Sequence, residues 1–388
     1  MKSNLSYISL FSSAGVGCYG FKQEGFDCVA TNEIIEKRLN IQKFNNKCLL
    51  DSGYILGDIR QESVKMQIFE EIRKCCNKKI DVVIATPPCQ GMSVANHKKN
   101  DNDLHRNSLV VESVLLVKNI LPKIFIFENV AAFWKTGCCF QNSIIPIGEM
   151  IQSVLSSLYS IEQRVINFKS FGSNSSRNRT LVIGVRNDFI KFFSSADLFP
   201  KATDEKSLRE VIGHLSPLKW GEYDKNDFFH SFRIYDEKMR CWIHDLKQGE
   251  SAFDNKDDYK KPHKIVKGQI VINKLKNGDK YKRQCFDKVA PCVHTRNDQL
   301  ASQNTVHPTE DRVFSIRELM LMMTIPASFK WVKQDLAELN MLTIDEKRKL
   351  SKKIELNIRQ SIGEAVPTEI FRQIAMNIKF YLGATSNL

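Results

Sequence analysis

The chain has 388 residues, 42% of them hydrophobic and 26% charged, with a net charge of +13 and eleven cysteines. This composition is typical of a soluble globular protein large enough for two domains. No apolar run approaches the roughly 18 residues that span a membrane, and there is no signal-peptide pattern. We therefore expect a cytoplasmic protein. The cysteines lack metal-ligand spacing, so we expect reduced thiols and no bound metal. The positive charge favours a polyanionic partner.

The N-terminal region combines a strand, a turn of small residues and a second strand. Residues 7–11 form the first strand, and residues 12–17 form a small-residue turn before a helix. Such a turn allows the close backbone approach that nucleotide-type ligands need. The second strand, residues 26–33, ends in Glu33, 22 residues after Phe11. An acid at about this distance typically binds ribose hydroxyls, although Glu33 as a solvated helix cap is the alternative.

Two later strands end in side chains suited to covalent catalysis. Residues 81–86 form a short apolar run that stops at Pro87-Pro88 and delivers Cys89 to the carboxyl edge of a sheet. Residues 125–130 form another such run, which ends in Glu128, one strand-helix unit later. A single cysteine is more often a buried structural residue. A thiol and a carboxylate at neighbouring strand ends nevertheless predict an active site.

Strands and helices alternate through the first 186 residues, with a polar loop at 91–108. The further strands predicted are 54–59, 161–168 and 180–186, and the helices are 61–76, 109–121 and 150–158. This alternation favours an α/β protein with a mostly parallel, doubly wound sheet. We assign residues 1–186 to a catalytic, cofactor-binding domain.

The periodicity weakens after Arg186. We assign residues 187–333 to a second, smaller domain, irregular and β-rich, with a hairpin at Asn277-Gly278 between strands 268–276 and 280–286. Residues 334–357 are predicted to be a helical connector, and 358–388 a C-terminal helix returning to the catalytic domain.

More than half of the net charge is concentrated in residues 256–284. This segment has ten Lys or Arg residues against three Asp, a net charge of +7. A solvated surface is one explanation. The other is a phosphate-binding surface, separate from the part of the chain that holds Cys89.

In their order along the whole chain, these motifs resemble those of the cytosine-5 DNA methyltransferases of bacterial or phage restriction-modification systems. The segments that carry the resemblance are Pro87-Pro88-Cys89-Gln90, Glu128-Asn129-Val130, Arg177-Asn178-Arg179, Arg312 to Glu318, and Gly363-Glu364-Ala365-Val366-Pro367. The resemblance implies a Rossmann-like, S-adenosylmethionine-dependent methyltransferase sheet whose second domain is the target-recognition domain. The residues that it assigns to the cofactor are Phe11, Ala14, Gly15, Glu33, Ile34, Asp58, Ile59, Pro87, Leu109, Glu364 and Ala365.

The resemblance also implies a mechanism and a DNA contact surface. Cys89 would add to carbon 6 of a flipped-out cytosine, while Glu128 acts as the acid near ring nitrogen 3. Arg179 would steady the base oxygen, and Arg177 the active-site loop. The predicted DNA-binding residues are Gln90, Ser93, Lys274, Lys276, Lys280, Lys282 and Arg296.

Three segments depart from the family pattern. In the cofactor loop, Ser13 and Val16 replace the usual first and third glycines. Ser175 stands where a glutamine usually precedes the Arg-x-Arg pair, and Glu364 replaces an asparagine in the last motif. None of these positions takes part in the chemistry.

Two other functions remain open from the sequence. One is a transfer-RNA cytosine-5 methyltransferase with the same chemistry, against which the large second domain argues. The other is a catalytically inactive DNA-binding relative, against which the presence of Cys89 and Glu128 argues. We expect a monomer that acts on double-stranded DNA, with a cognate restriction endonuclease as a possible partner.

Overall fold

The computed structural model describes residues 4–75, 80–88, 101–274 and 278–385, and for residues 101–108 and 385 only the backbone. The strands are β1 Ser6–Leu10, β2 Asp27–Glu33, β3 Tyr54–Leu56, β4 Val82–Ala85, β5 Ile124–Val130, β6 Gly137–Phe140, β7 Ser143–Pro146, β8 Tyr159–Asn167, β9 Asn178–Arg186, β10 His263–Val266 and β11 Gln269–Ile272. The helices are α1 Tyr19–Gln23, α2 Glu36–Phe44, α3 Glu62–Lys74, α4 Asp101–Ile120, α5 Ile147–Leu155, α6 Leu208–Ile212, α7 Glu237–Ile243, α8 Ile316–Met322, α9 Leu336–Met341, α10 Ile344–Glu364 and α11 Thr368–Thr385.

A seven-stranded sheet has the order β3-β2-β1-β4-β5-β9-β8. Strands β1 to β5 pair in parallel, and β9 is antiparallel to both β5 and β8. The strand order reverses between β1 and β4. In open α/β sheets such a switch point, at the carboxyl ends of the strands, is where ligands bind. The sheet confirms the predicted α/β class.

Apolar residues cover both faces of this sheet. Along β4, Val83 and Ala85 join one hydrophobic cluster, while Val82 and Ile84 join another on the opposite face. Strand β5 alternates in the same way. Successive side chains of a strand point to opposite faces, so a continuous apolar run indicates a strand that is buried on both faces.

The chain folds into two compact units. The first comprises Met1–Phe171, Asn178–Thr203 and Ala365–Leu388, and the second comprises Gly172–Arg177 and Asp204–Glu364. These bounds differ from the predicted 1–186 and 187–333. The connector predicted at 334–357 is part of the second unit, as helices α9 and α10.

Within the first unit, the C-terminal helix α11 packs closely against α1. A Cβ atom on Gly20 would lie only 2.5 Å from the backbone nitrogen of Arg372. A side chain at position 20 would therefore push the two helices apart. Phe371 and Ile374 of α11 belong to the same hydrophobic cluster as Phe21 of α1, so α11 completes the core on this face.

The second unit has its own core and an irregular backbone. The core includes Trp242, Ile243, Leu300 and Val306. In its described part, the regular strands are β10 and β11, which pair as a hairpin, together with isolated bridges. Its regular structure is therefore mostly helical, unlike the β-rich domain predicted.

Two local predictions need correction. Strand β11 pairs with β10 across the turn Lys267-Gly268, not with residues 280–286, which form only isolated bridges. Asn277 of the predicted turn lies outside the described residues. The predicted loop at 91–108 also ends early, because α4 already begins at Asp101.

Within the described ranges, no helix is long and apolar enough to cross a membrane. In the same ranges, no group of three or more His, Cys, Asp or Glu side chains could hold a metal ion.

Candidate active site

The carboxyl ends of β1, β2, β4 and β5 lie at one level of the sheet. The parallel registers pair Leu10 with Asn32 and with Ala85, and Ala85 with Phe127. The residues that follow them therefore form the next row: Phe11, Glu33, Thr86 and Glu128. The hydroxyl of Thr86 donates to the carbonyl oxygen of Phe11 at 3.0 Å. This bond connects the ends of β4 and β1, the two strands between which the order reverses.

The loop after β1 has an alternating backbone conformation. Phe11, Ser13 and Gly15 have φ angles of 58°, 48° and 80°, while the residues between them do not have positive φ. Such alternation is typical of concave backbone turns that bind anionic or polar ligands. Two N–H groups of this loop are used within the protein, because that of Phe11 donates to the carbonyl oxygen of Asn32 at 3.1 Å and that of Gly15 to the carbonyl oxygen of Ser12 at 2.7 Å. Positive φ is unfavourable for Ser. The side-chain amide of Gln42 compensates by donating to the carbonyl oxygen of Ser13 at 2.6 Å.

Val16, the second departure in this loop, is buried. Its carbonyl oxygen accepts a hydrogen bond of 3.1 Å from the hydroxyl of Thr368, at the start of α11. Ala14 is buried as well. The loop is therefore held within the first unit from several sides, without the first and third glycines of the family pattern.

Glu33 lies at the end of β2 and is only 6% exposed. Its carboxylate accepts hydrogen bonds from the backbone N–H groups of Ile34 at 3.0 Å and Ile35 at 3.1 Å. Burial raises the pKa of Glu33, although these N–H groups, that of Ser13 and the charge of Arg38 act in the opposite direction. The carboxylate is thus adjacent to the loop, where it could accept ribose hydroxyls.

Ile34 is 63% exposed, directly after this buried acid. An exposed apolar side chain beside a polar anchor suits a flat apolar ring such as adenine. Asp58, after β3, receives hydrogen bonds from Arg60, which lower its pKa. Ile59 is buried in the core. Leu109, on α4, packs against the same cluster.

Glu128 and Arg179 form an ion pair on neighbouring strands. Arg179 Nε lies 3.1 Å from Glu128 Oε1, and both side chains are largely buried. Strands β5 and β9 are antiparallel, with Val130 opposite Arg179, so the guanidinium reaches back toward the carboxylate. The pair combines an acceptor with several donors, as the polar edge of a cytosine requires.

Asn129 is a site residue that sequence reasoning did not single out. It is buried, and its amide donates to the carbonyl oxygen of Pro87 at 2.9 Å. Pro87 is buried too. The strand that carries Glu128 therefore also holds the segment leading to Cys89. Cys89, Gln90 and Ser93 themselves lie outside the described residues.

Arg177 belongs to the second unit. It is buried and donates to the carbonyl oxygens of Val293 at 2.9 Å and Gly363 at 3.0 Å. These bonds hold segments of that unit together, so the predicted contact of Arg177 with an active-site loop stays a prediction. Ser175 is buried in the same unit.

The two predicted cofactor residues of the last motif belong to different units. Glu364 ends α10 in the second unit and is exposed, whereas Ala365 begins the C-terminal part of the first unit and is buried. Their contact with a cofactor stays a prediction.

The predicted DNA-binding residues of the second unit differ in exposure. Lys274 and Arg296 are exposed, and Lys280 and Lys282 are half-buried. Lys276 lies outside the described residues. Arg296 is also paired with Asp298 at 3.3 Å. The hairpin β10–β11 adds two exposed lysines that were not predicted, Lys264 and Lys267.

Solved structures of other proteins share this fold. A putative DNA modification methyltransferase encoded within a prophage of E. coli aligns with a TM-score of 0.65 and 17% identity, covering 98% of this chain and 100% of that chain. The Dnmt2 methyltransferase of S. pombe aligns with a TM-score of 0.59 and 15% identity, covering 98% and 99%. The fold is that of the S-adenosylmethionine-dependent methyltransferases. The loop after β1, the buried Glu33 and the exposed Ile34 fit this cofactor.

The family model for C-5 cytosine-specific DNA methylases matches residues 5–380. The chain belongs to this family, and it is an enzyme that uses S-adenosylmethionine to methylate cytosine in DNA. Among the curated relatives, Type II methyltransferase M1.HgaI of Avibacterium volantium is 28% identical and is matched over 97% of this chain and 99% of its own length. Type II methyltransferase M1.HphI of Haemophilus parahaemolyticus is 26% identical, over 96% and 86%.

Proposed function

We propose that this enzyme methylates carbon 5 of one cytosine within a specific double-stranded DNA sequence, after flipping the base and adding Cys89 to it. The observation that carries the proposal is the Glu128–Arg179 pair at the end of β5. Glu128 lies on β5, which pairs with β4, the strand whose chain continues through Pro87 to Cys89.

Cys89, Glu128 and Arg179 each have a defined part in the proposed chemistry. The Cys89 thiolate forms a bond to carbon 6, and the electron pair of the 5,6 double bond moves into the ring. Glu128 gives a proton to ring nitrogen 3, which prevents negative charge from building up on the base. Arg179 keeps the carboxylate oriented and donates to the base oxygen. Carbon 5 of the resulting enamine would then form a bond to the methyl group as the methyl–sulfur bond of the cofactor breaks, leaving a neutral thioether. Loss of the carbon 5 proton restores the 5,6 double bond and expels the Cys89 thiolate, while ring nitrogen 3 returns its proton to Glu128.

The cofactor site would be the concave loop at the end of β1. The backbone N–H groups of this loop, the Glu33 carboxylate and the Ile34 side chain would bind the amino acid, ribose and adenine parts, respectively. When bound there, S-adenosylmethionine supplies an activated methyl group on a positively charged sulfur. Carbon 5 needs such a methyl donor because cytosine alone is a weak nucleophile.

The second unit would bind the DNA. Its basic segment, residues 256–284, carries a net charge of +7, and the exposed lysines of β10–β11 lie within it. Phosphate contacts from these lysines would position the duplex. A two-stranded ribbon is also narrow enough to enter the major groove and read base edges.

We further infer that the enzyme acts in the cytoplasm as the methyltransferase of a restriction-modification system, with a cognate endonuclease. The Type II names of its relatives support this. We expect a monomer, since one chain carries both the catalytic motifs and the basic segment.

Methyl transfer from labelled S-adenosylmethionine to duplex DNA and to transfer RNA tests the proposal. Wild-type protein should label DNA alone, and duplex DNA with 5-fluorocytosine at the target should trap a covalent adduct, because fluorine blocks the last elimination. Cys89→Ser should abolish both signals while DNA binding persists. Cys139→Ser, at an exposed cysteine of the first unit, is the matched control and should keep both.

The assignment fails at different points for different results. Turnover by Cys89→Ser would show that Cys89 is not the nucleophile. Labelling of transfer RNA alone would show that the substrate is transfer RNA and not DNA. If neither substrate is labelled but DNA still binds, the protein is a catalytically inactive, DNA-binding relative.

A further inference from the structure

Lys47 follows helix α2 and is a buried lysine, only 9% exposed. Its ammonium nitrogen lies within hydrogen-bond distance of four oxygens. These are Ser9 Oγ at 2.6 Å, Gln42 Oε1 at 2.8 Å, Ser12 Oγ at 2.9 Å and Thr31 Oγ1 at 3.0 Å. The three ammonium protons are therefore fully used.

All four of these oxygens belong to neutral groups. In the part of the chain that the structure describes, Lys47 makes no ion pair with a carboxylate, because its contacts are three hydroxyls and one amide. A buried charge is costly unless an opposite charge or several dipoles compensate it. Here three hydroxyl dipoles and one amide dipole hold the ammonium in place.

This ammonium lies directly beneath the loop after β1. One of its partners, Ser12, belongs to that loop, and another, Gln42, donates from its amide to the carbonyl oxygen of Ser13. A Cβ atom on Gly15 would lie 3.6 Å from Cδ of Lys47. The lysine and the loop are thus in contact, with no other layer between them.

The loop that Lys47 contacts is the one proposed to hold the amino acid end of the cofactor. Positive φ alternates along it at Phe11, Ser13 and Gly15, a pattern typical of backbone that binds anions, although the N–H groups of Phe11 and Gly15 donate to carbonyl oxygens of the protein. The charge of Lys47, in a poorly solvated site, adds to the positive potential of this backbone. Two independent features therefore favour a negative group at the same place.

We propose that Lys47 is a positioning residue that provides the positive charge for the terminal carboxylate of the cofactor, an assignment that rests on the proposed cofactor site. This carboxylate is the one anionic group of S-adenosylmethionine. Glu33 and Ile34 lie at the end of β2 and suit the ribose and adenine, which leaves the concave loop for the amino acid end. Lys47 acts through Ser12 and the loop backbone, without touching the reacting atoms.

Calorimetry with two ligands tests this assignment. One ligand is S-adenosylhomocysteine, and the other is its decarboxylated analogue, which keeps the adenosine, sulfur and amine. Wild-type protein should bind the first at least about tenfold more tightly than the second, since a charge-assisted contact is lost. In Lys47→Met, affinity for S-adenosylhomocysteine should fall by about tenfold or more, while the analogue binds unchanged or more tightly.

Three further variants separate charge from shape. Lys47→Arg should keep most of the preference for the carboxylate, and Lys47→Gln, which keeps polar contacts without the charge, should lose it. Lys43→Met removes an exposed lysine of α2 that lies over the ring of Tyr54, and it should behave as wild type. Thermal unfolding of each variant confirms that it is folded.

The possible failures are distinguishable. If the wild-type protein does not bind S-adenosylhomocysteine, the proposed cofactor site is wrong. If it binds both ligands equally, or if Lys47→Met weakens both to the same extent, Lys47 only supports the loop and the assignment is overturned. Lys47→Arg and Lys47→Gln keep polar contacts at this position, so the comparison of these two variants decides the assignment if Lys47→Met does not fold.

Discussion

The side-chain amide of Asn129 donates a 2.9 Å hydrogen bond to the carbonyl oxygen of Pro87. The other end of the same amide accepts from the N–H of Val130 at 2.9 Å, so its orientation is fixed. Asn129 follows the proposed acid Glu128, and Pro87 lies two residues before the proposed nucleophile Cys89. One buried side chain therefore couples the two strands that carry the chemistry.

Asn129→Ala should reduce kcat much more than it reduces cofactor affinity. Without the amide, the Pro87 carbonyl loses its partner and the segment leading to Cys89 can shift, and a displacement of about 1 Å can cost up to about 100-fold in rate. Steady-state kinetics together with S-adenosylhomocysteine binding measure the two effects. Asn187→Ala removes a comparable amide-to-carbonyl bond at the surface and should leave kcat unchanged. Equal kcat in both variants would show that Asn129 does not position the thiol segment.

Glu33→Gln should weaken cofactor binding but stabilise the free protein at neutral pH. Losing a charged hydrogen bond to a hydroxyl costs about 1.5–3 kcal/mol of binding free energy. Because burial raises the pKa of Glu33, its contribution to stability is present below the ordinary pKa of the unfolded chain. That contribution is lost as pH rises through the folded value.

Thermal unfolding between pH 4 and pH 8 (about the range over which a raised carboxyl pKa acts) measures the second effect. Wild-type protein should lose stability relative to Glu33→Gln as pH rises. Glu70→Gln, at an exposed position of α3, is the control and should follow the wild type. A parallel pH dependence of Glu33→Gln and wild type would mean that the carboxylate is fully compensated in the folded state.

The sequence predicted the catalytic sheet well because its strands are buried on both faces. The apolar runs that became β1, β4 and β5 are short and almost continuously apolar, which indicates buried strands. Since parallel strands align their carboxyl ends, the row containing Phe11, Glu33 and Glu128 followed from the strand assignments alone.

Lys47 and Asn129 were missed for a different reason. Each acts through a hydrogen bond to a residue distant in sequence, and neither belongs to a periodic pattern. The hairpin was misplaced because Asn277-Gly278 is the stronger turn signal. At Lys267-Gly268 the lysine has a positive φ of 49°. Lysine is not a typical residue for this conformation, so the sequence did not indicate a turn there. In the second unit, packing among irregular segments, rather than periodicity, fixes the backbone.

A buried ionic cluster in the second unit should make that unit sensitive to acid. Arg312 makes two hydrogen bonds to Glu318, at 2.7 and 2.8 Å, and His307 lies 3.4 Å from the same carboxylate. Burial lowers the pKa of His307 to about 4 from 6.5. Burial raises the pKa of Glu318, but the charges of Arg312 and His307 outweigh it and lower the pKa to about 2 from 4.5.

Both shifts have the same sign for stability. The unfolded chain binds these protons more strongly, so stability should fall as pH decreases from about 6.5 to about 4 through His307, and from about 4.5 toward 2 through Glu318. His307→Gln should flatten the first part of this dependence. His214→Gln, at an exposed position, should not. Urea unfolding followed by tryptophan fluorescence measures it, because Trp220, Trp242 and Trp331 all belong to this unit. An unchanged dependence in His307→Gln would show that His307 is not the titrating group.

The basic segment should contribute to DNA affinity but not to chemistry. Lys264, Lys267 and Lys274 are exposed on or next to the β10–β11 hairpin. Each phosphate contact releases counterions, so replacing all three with Gln should reduce the slope of log affinity against log salt by up to about 2.7, or about 0.9 per contact. Lys280 and Lys282 are half-buried and should contribute less. The methyl-transfer rate at saturating DNA should stay at the wild-type value, since the hairpin belongs to the second unit and the Glu128–Arg179 pair to the first.

A control variant with an equal change of charge replaces three exposed lysines on α10 of the second unit, Lys349, Lys352 and Lys353. If both triple variants lower affinity and slope equally, net charge alone attracts the DNA. If only the hairpin variant does so, the hairpin contacts the phosphates.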